Sequence, residues 1–458
     1  MRFAASDRPA RTRLTLTTVT AAVVGIGAGM AMAAASGTTD AGVSASPSAA
    51  ASPSASAPAA TPSPSPTASS AAPSPSPEPT VEFTLVAGGD VLPHAPVVRS
   101  ATTASGIDFA PLMEGIADWT EGADLALCHM ETPVSPTGVA SGYPVFAAPV
   151  ELVPSLAAVG FDGCSTASNH SVDKGFAGIE ATHDAFEEAG LGFAGTAVSQ
   201  DEAAVTQFYE VTEAGRTITV ANVSYTYGLN GLPKPEGKPW SVNTFDADAA
   251  DAGPIVEAAA TAREQGADVV LASVHCCVEY TTEPTAAQRS IAQQVADSGE
   301  VDLYIGHHAH VPEPLELLEG GPDGSGMWTA FGLGNFLSNQ GTQCCVADTN
   351  SGVLLAATIA VDPDGGVAVD AGWTGITVDR LDGHRMHVLG DILDDGAGTL
   401  TAAEAKARHA RVGAAVGDAA RELDAPPEAL ADSVTALPRT ADAVAEATSA
   451  DATASSRQ

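Results

Sequence analysis

The chain has 458 residues and a formal net charge of −37, from 19 Lys and Arg against 56 Asp and Glu. Between residues 81 and 400 the imbalance is 44 acidic side chains against 9 basic ones. A nucleic-acid partner is excluded, because phosphates are neutralised by Lys and Arg patches that are missing here, and bound metal cations are left as the means of drawing in a polyanionic substrate.

Arg2, Arg8, Arg11 and Arg13 precede an uncharged stretch, Leu14 to Ala35, that ends in small residues at Ala31, Ala33, Ala34 and Ala35. A basic start, an apolar run and an Ala-x-Ala exit are the marks of an export signal over residues 1–35, cleaved near Ala33 to Ser36. The run is also roughly 20 residues long, so an uncleaved anchor helix is the alternative, and membrane contact is expected only through this segment. Residues 36–80 alternate Ser, Pro, Ala and Thr and read as an extended spacer or a disordered leader. The expected location is extracytoplasmic, secreted or associated with the cell envelope.

The folded unit is expected over residues 81–400, long enough for one sizeable core. Apolar runs of strand length (Val81 to Ala87, Leu125 to Cys128, Gly163 to Thr166) alternate with helical patterns (Phe109 to Trp119, Val150 to Val159, Gly175 to Ala189). This βαβαβα order argues for parallel strands whose carboxyl ends gather ligands. A hairpin, Gln207 to Thr212 and Thr217 to Ser224, follows. Then come a helix at Ala249 to Gln265, a buried strand at Val269 to Val274, a helix at Thr285 to Asp297 and a strand at Leu303 to Gly306. Short strands at Leu315 to Leu318, Trp328 to Leu333, Val353 to Val361 and Val367 to Trp373 complete an α/β unit of two mixed sheets with helices outside. Residues 401–458, rich in Ala and Asp, read as a helical and then disordered tail, with disorder from Asp424.

Five polar clusters each follow a strand-like run and are therefore expected at one edge. They are Gly89-Asp90; His129-Met130-Glu131; Ser168-Asn169-His170 with Asp173; His275 with Glu279; and Gly306-His307-His308-Ala309-His310. Carboxylates, an amide and imidazoles together suit two divalent ions such as Mn, Zn or Fe. Three imidazoles within four residues are also costly to bury without partners.

Together with ADLALCHMETP at 123–133, SNHSVDKG at 168–175, VDLYIGHHAHVPEPLE at 301–316 and FGLGNFL at 331–337, these clusters resemble the bacterial capsule-synthesis CapA (poly-γ-glutamate biosynthesis) family. That family is a branch of the calcineurin-like metallophosphoesterases. The resemblance spans about Phe83 to Leu337 and implies a two-sheet α/β sandwich. It also implies a metal shell of Asp90, Glu131, Asn169, His275, His308 and His310, with Glu131 bridging and His170 as leaving-group acid. His307, Asp173, Glu279 and Asn335 would support the shell or touch substrate. Three departures stand out. Leu92 occupies the position of an Asp-x-His histidine, for which His94 substitutes only if its loop folds back. His307 and His308 compete for one register. Cys276-Cys277-Val278-Glu279 replaces a Trp-bearing rim.

Exported cysteines are usually oxidised. A bridge from Cys276 or Cys277 to Cys344 or Cys345 is expected, since a bond between neighbours is strained; metal binding by these thiols is the alternative. Cys128 and Cys164 read as buried free thiols. His183, His384, His387 and His409 read as structural. Tyr225, Tyr227, Asn230, Gly231 and Trp240 are candidates for substrate contact or loop packing, and Arg289 for pairing with an acid. The function implied is an exported two-metal hydrolase or transferase of capsule or poly-γ-glutamate-type polymer synthesis. Its partners would be a cell-envelope polymer or the machinery that makes and exports it. The alternative is a non-catalytic polymer-binding or export component with a vestigial metal site.

Overall fold

The structure, a computed structural model, describes residues 78–455. The expected signal and nearly all of the expected linker lie outside these residues. Two mixed sheets pack face to face. In the first, the strand Val81–Leu92 lies between Leu125–Met130, to which it is parallel, and Ser351–Val361, to which it is antiparallel. Gly163–Ser165 and Gly192–Ala194 extend one side and Val367–Asp379 and Arg385–Val388 the other, while Asn335–Ser338 pairs parallel to the far end of Val81–Leu92. The second sheet runs Leu315–Leu318, Met327–Ala330, Leu303–His307, Val269–His275, Arg216–Thr226, Gln207–Glu213 and Ser433–Ala436.

The sequence pattern dictates the layering. Alternate residues of a strand face opposite sides, so Phe83, Leu85 and Ala87 meet Val269, Leu271, Leu303 and Ile305 between the sheets. Val86 and Val91 instead lie under Leu152, Leu156 and Phe186 on the outer helices. Val270, Ala272 and Val274 lie under Ile255 and Ile291 of the helices Gly253–Glu264 and Ala286–Ser298. Central strands covered on both faces read as continuous apolar runs for this reason. The result is the two-sheet α/β sandwich expected from the sequence.

Three local differences have physical causes. The expected helix Phe109 to Trp119 is broken into Ala110–Met113, a single turn at Glu114–Ile116 and Ala117–Glu121. Gly115 sits at the break, where a Cβ would collide with the carbonyl of Met386. The segment containing Asn335, read only as a motif, is a short strand. The third difference lies beyond residue 400. The helix Ala402–Val416 places Ala405, Val412 and Val416 against the inter-sheet core. Ser433–Ala436 then pairs antiparallel with Gln207–Glu213, where disorder was expected. Arg439 explains the anchoring: its buried guanidinium donates to the carbonyls of Thr196 (2.7 Å), Glu202 (3.0 Å) and Val205 (3.2 Å). The tail therefore closes the edge of the second sheet, which an unpaired strand would leave open.

Candidate metal centre

The carboxyl ends of the parallel strands deliver the polar clusters to one cleft. Asp90 is in register with His129 on the neighbouring strand, and His275 with His307 in the opposite sheet. Two glycines permit the approach. A Cβ on Gly89 would strike the carbonyl of Gly334, and one on Gly306 that of Phe331. After Gly306 the chain turns sharply, with His308 at φ 88° and His310 at φ 58°. A left-handed conformation costs a residue with a side chain roughly 1–2 kcal/mol. Asp90 holds the turn by accepting from the His308 backbone N–H (3.3 Å) and pairing with His310 Nδ1 (2.9 Å). Asn335 Nδ2 secures it from behind by donating to the His310 carbonyl (3.2 Å).

The donors form two buried groups of three, each with ligand atoms within 4.8 Å of one another: Asp90, His129 and His275, then Glu131, His308 and His310. In the first, His129 lies between Ser165 Oγ (2.7 Å from Nδ1) and His275 Nδ1 (2.8 Å from Nε2). Asn169 Oδ1 sits 3.2 Å from the other nitrogen of His275. In the second, His310 Nε2 is 3.7 Å from Glu131 Oε1. Asp90 touches both groups through His310, whereas the resemblance implies Glu131 as the bridge.

Electrostatics leave most of these imidazoles neutral. Burial, followed by the repulsion of neighbouring rings, holds His129 and His275 well below the ordinary histidine range. Burial depresses His307 to about 4 and His308 to about 3. His310 is the exception. Burial would lower it too, but Glu131, the Asp90 hydrogen bond and Glu279 raise it to about 9. Burial likewise opposes ionisation of Asp90, yet the His310 bond and the surrounding rings hold it well below the usual carboxylate range. Glu131 is pushed up to about 7, chiefly by burial.

The residues fit divalent cations. Both oxygens of Glu131 and Nδ1 of His307 and of His308 are buried without a hydrogen-bond partner. Such orphaned groups cost a fold several kcal/mol unless something else satisfies them. Neutral imidazoles with free lone pairs beside carboxylates are the donor set that Zn, Mn and Fe accept.

The sequence profile described as bacterial capsule synthesis protein PGA_cap matches residues 84–340, just over half of the chain. The chain belongs to the bacterial capsule synthesis protein family. It is 29% identical over 192 residues to the PGA biosynthesis protein CapA of Bacillus subtilis (strain 168), a match covering 42% of this chain and 46% of that protein. It is 25% identical over 279 residues to a probable polyglutamine synthesis accessory protein of Mycobacterium tuberculosis, covering 52% and 71% respectively. The chain thus spans about half the length of the Bacillus relative. Among solved structures, a novel phosphatase of Mycoplasma pneumoniae aligns at 14% identity with a TM-score of 0.35, over 64% of this chain and 94% of that one.

In this chain His170 lies beside the triads, its Nδ1 2.7 Å from Asp173 Oδ2 and 3.3 Å from Asn230 Nδ2. Tyr227 lies tilted against His308, with ring centroids 4.7 Å apart. Glu279 is partly exposed, with Oε1 3.8 Å from His310 Nε2. His94 belongs to neither triad. Its Nδ1 faces the carbonyl of Leu92 at 2.9 Å and its ring packs edge-on to Phe146. Trp240 packs edge-on to Phe176, Tyr225 joins the core beneath the helices, and Arg289 pairs with Glu316.

Two functional residues escaped the site reading. His129 stands in the first triad although the resemblance does not place it in the shell; a spacing of two from Glu131 puts both on one face of the strand. Gln288 had no sequence signal beyond its place as third residue of a helix. Its Nε2 donates to Glu313 Oε2 (2.9 Å) and to the Cys276 carbonyl (3.3 Å), tying together the loops that carry His275 and His310.

The cysteine sulfurs lie in other pairs than expected. No bridge joins the two adjacent pairs; the sulfurs at disulfide distance are Cys276 with Cys277 and Cys344 with Cys345. Cys276 is held at its strand by the His307 carbonyl and Gln288. Cys344 is held within its own turn by the Gly341 carbonyl. Cys128 and Cys164, expected as free thiols, are register partners on adjacent parallel strands, with Cα atoms 4.3 Å apart and sulfurs at disulfide distance. Equivalent positions on neighbouring strands point to the same face.

Proposed function

We propose that this chain is an exported metal-dependent hydrolase or transferase acting in the synthesis of a capsule or poly-γ-glutamate-type polymer. Two divalent ions would be held, one by Asp90, His129 and His275 and one by Glu131, His308 and His310, with Asn169 beside the first. The observation that carries the reading is the pair of buried triads with orphaned Glu131 and His308 atoms at the carboxyl ends of the strands. When bound, such ions supply Lewis acidity and lower the pKa of water. The chain's own residues supply the rest. Asp173 engages Nδ1 of His170, leaving Nε2 to hold a proton for a leaving group. Asn230 stands beside Nδ1 of His170 and Tyr227 beside His308.

Export accords with three pairs of sulfurs at disulfide distance, which persist in oxidising compartments. No helix among the described residues is long and apolar enough to cross a membrane. A second reading, a polymer-binding component with a relict metal site, draws on Leu92 in place of a histidine and on His94 belonging to neither triad. Hydrolysis of a generic aryl phosphate with added Mn or Zn, compared between the native protein and His308→Ala, separates the two. Turnover that His308→Ala abolishes supports the enzyme. Stoichiometric metal without turnover of any phosphoester supports the relict site.

A further inference from the structure

Fourteen Lys and Arg lie among the described residues, and eight of them have a carboxylate within ion-pair distance. The other six are Arg99, Lys174, Arg216, Lys234, Lys238 and Arg380. Arg216 sits at the far end of the first sheet, bonded to the carbonyls of Pro79 and Val361. The remaining five all lie on segments at the metal end of the strands. With acids so abundant, chance would pair most of these cations. Instead, several are positioned by neutral groups that leave their charge intact. Lys174 Nζ donates to the Val145 carbonyl (3.4 Å), beside Phe146, whose ring contacts His170. Lys238 Nζ stands 3.9 Å over the ring of Phe176 and 5.3 Å from that of Trp240, on the loop that brings Asn230 to His170. At the end of the strand Val367–Asp379, Arg380 donates to the amide oxygens of Gln343 (2.6 Å) and Asn339 (3.4 Å). The backbone N–H of Asn339 approaches His94 Nδ1 at 3.5 Å.

We propose that Lys174, Lys238 and Arg380 form a cationic rim at the metal end of the strands that seats an anionic chain. The assignment rests on the reading that the two triads floor the substrate cleft. It revises the expectation that only metals draw in a polyanion, because at physiological salt charges act over about 8 Å. The local acids that oppose the rim are Asp173 beside Lys174, Glu236 on the Lys238 loop, Asp379 and Asp382 flanking Arg380, and Glu279 facing His310.

The test uses the full chain, stripped of metal with a chelator, and fluorescence anisotropy with labelled hexaglutamate, with hexaglutamine of equal length as the neutral control. At 50 mM salt, removing one rim cation should weaken binding roughly three- to fivefold, as about 1 kcal/mol or less per screened pair implies. The double variant Lys174→Gln/Lys238→Gln should therefore lose about tenfold or more and Arg380→Gln about threefold. Arg216→Gln, the unpaired cation at the far end, should stay within about twofold, and the differences should close at 500 mM salt. Thermal melts of each variant establish that it is folded. The proposal is overturned if the native protein does not distinguish hexaglutamate from hexaglutamine, or if the rim variants bind as tightly as Arg216→Gln. Metal content of the reloaded samples is read separately. Failure of the metal reading thus leaves the anisotropy result standing, and a native protein that takes up full metal yet does not prefer hexaglutamate to hexaglutamine counts against the rim alone.

Discussion

Glu131→Gln separates a carboxylate kept for a cation from one kept for the fold. In the metal-free protein Glu131 is fully buried, neither oxygen has a hydrogen-bond partner, and burial raises it from 4.5 to about 7 despite the attraction of His310. An acid raised on folding contributes stability that is complete below its unfolded value and lost as pH rises through the folded one, so the loss here falls between about pH 4.5 and 7. At 1.36 kcal/mol per unit the carboxylate costs about 3 kcal/mol at pH 8. Part of that is returned by His310, whose proton Glu131 helps to hold, leaving roughly 1–3 kcal/mol. Glutamine has the same shape without the charge. With an unfolding entropy of about 2 cal/mol/K per residue, metal-free Glu131→Gln should melt about 1–4 °C above the native protein at pH 8 and level with it near pH 4.5. Added metal should reverse the order. An ion at a hundredfold excess over its dissociation constant adds about 2.7 kcal/mol to the native protein, and the variant should gain little. Calorimetric melts with and without Mn or Zn measure both effects. The reasoning fails if the metal-free variant is the less stable at pH 8, or if metal raises both proteins equally.

The remaining expectations are briefer. His170→Asn should lower turnover of a phosphoester by roughly 10²- to 10⁴-fold, the range for loss of a general acid, with metal content unchanged; loss of metal would make His170 a ligand instead. Arg439→Met strands three buried carbonyls and should cost roughly 2–4 kcal/mol, read as a lower urea midpoint with the metal site intact. Asp162 is pushed up to about 6 by burial and then by Asp124, against the Ala126 backbone bond. Its contribution is therefore present below about pH 4 and lost by about pH 6. Asp162→Asn should stabilise the protein at pH 7 by up to about 2 kcal/mol and leave it unchanged at pH 4, as paired urea titrations would show.

Much of the sandwich was legible because its central strands are covered on both faces, which writes uninterrupted runs such as Val269 to Val274 into the sequence. The helix at 175–189 was equally plain, as it ends on Gly190 in a left-handed cap. The broken helix after Phe109 was not, because Gly115 answers to a carbonyl more than 250 positions away. The tail misled for a similar reason. Its strand Ser433–Ala436 has a mixed composition and is held by an edge partner and by Arg439, whose three acceptors lie far back in the chain. In the cleft, Asp90, Glu131, His275 and the His307 to His310 run announced themselves by following strands. The cationic rim was hidden because total charge says nothing about which few cations go unpaired, and the sulfur partners were hidden because register, not spacing, sets them.

The central claim is that these two triads bind a pair of ions. Elemental analysis by plasma mass spectrometry, on protein equilibrated with excess Mn or Zn and then freed of loose ions, tests it most directly. The account expects about two equivalents per chain, falling to about one or fewer in His310→Ala. Less than half an equivalent in the native protein, or the same content in His310→Ala, would contradict it.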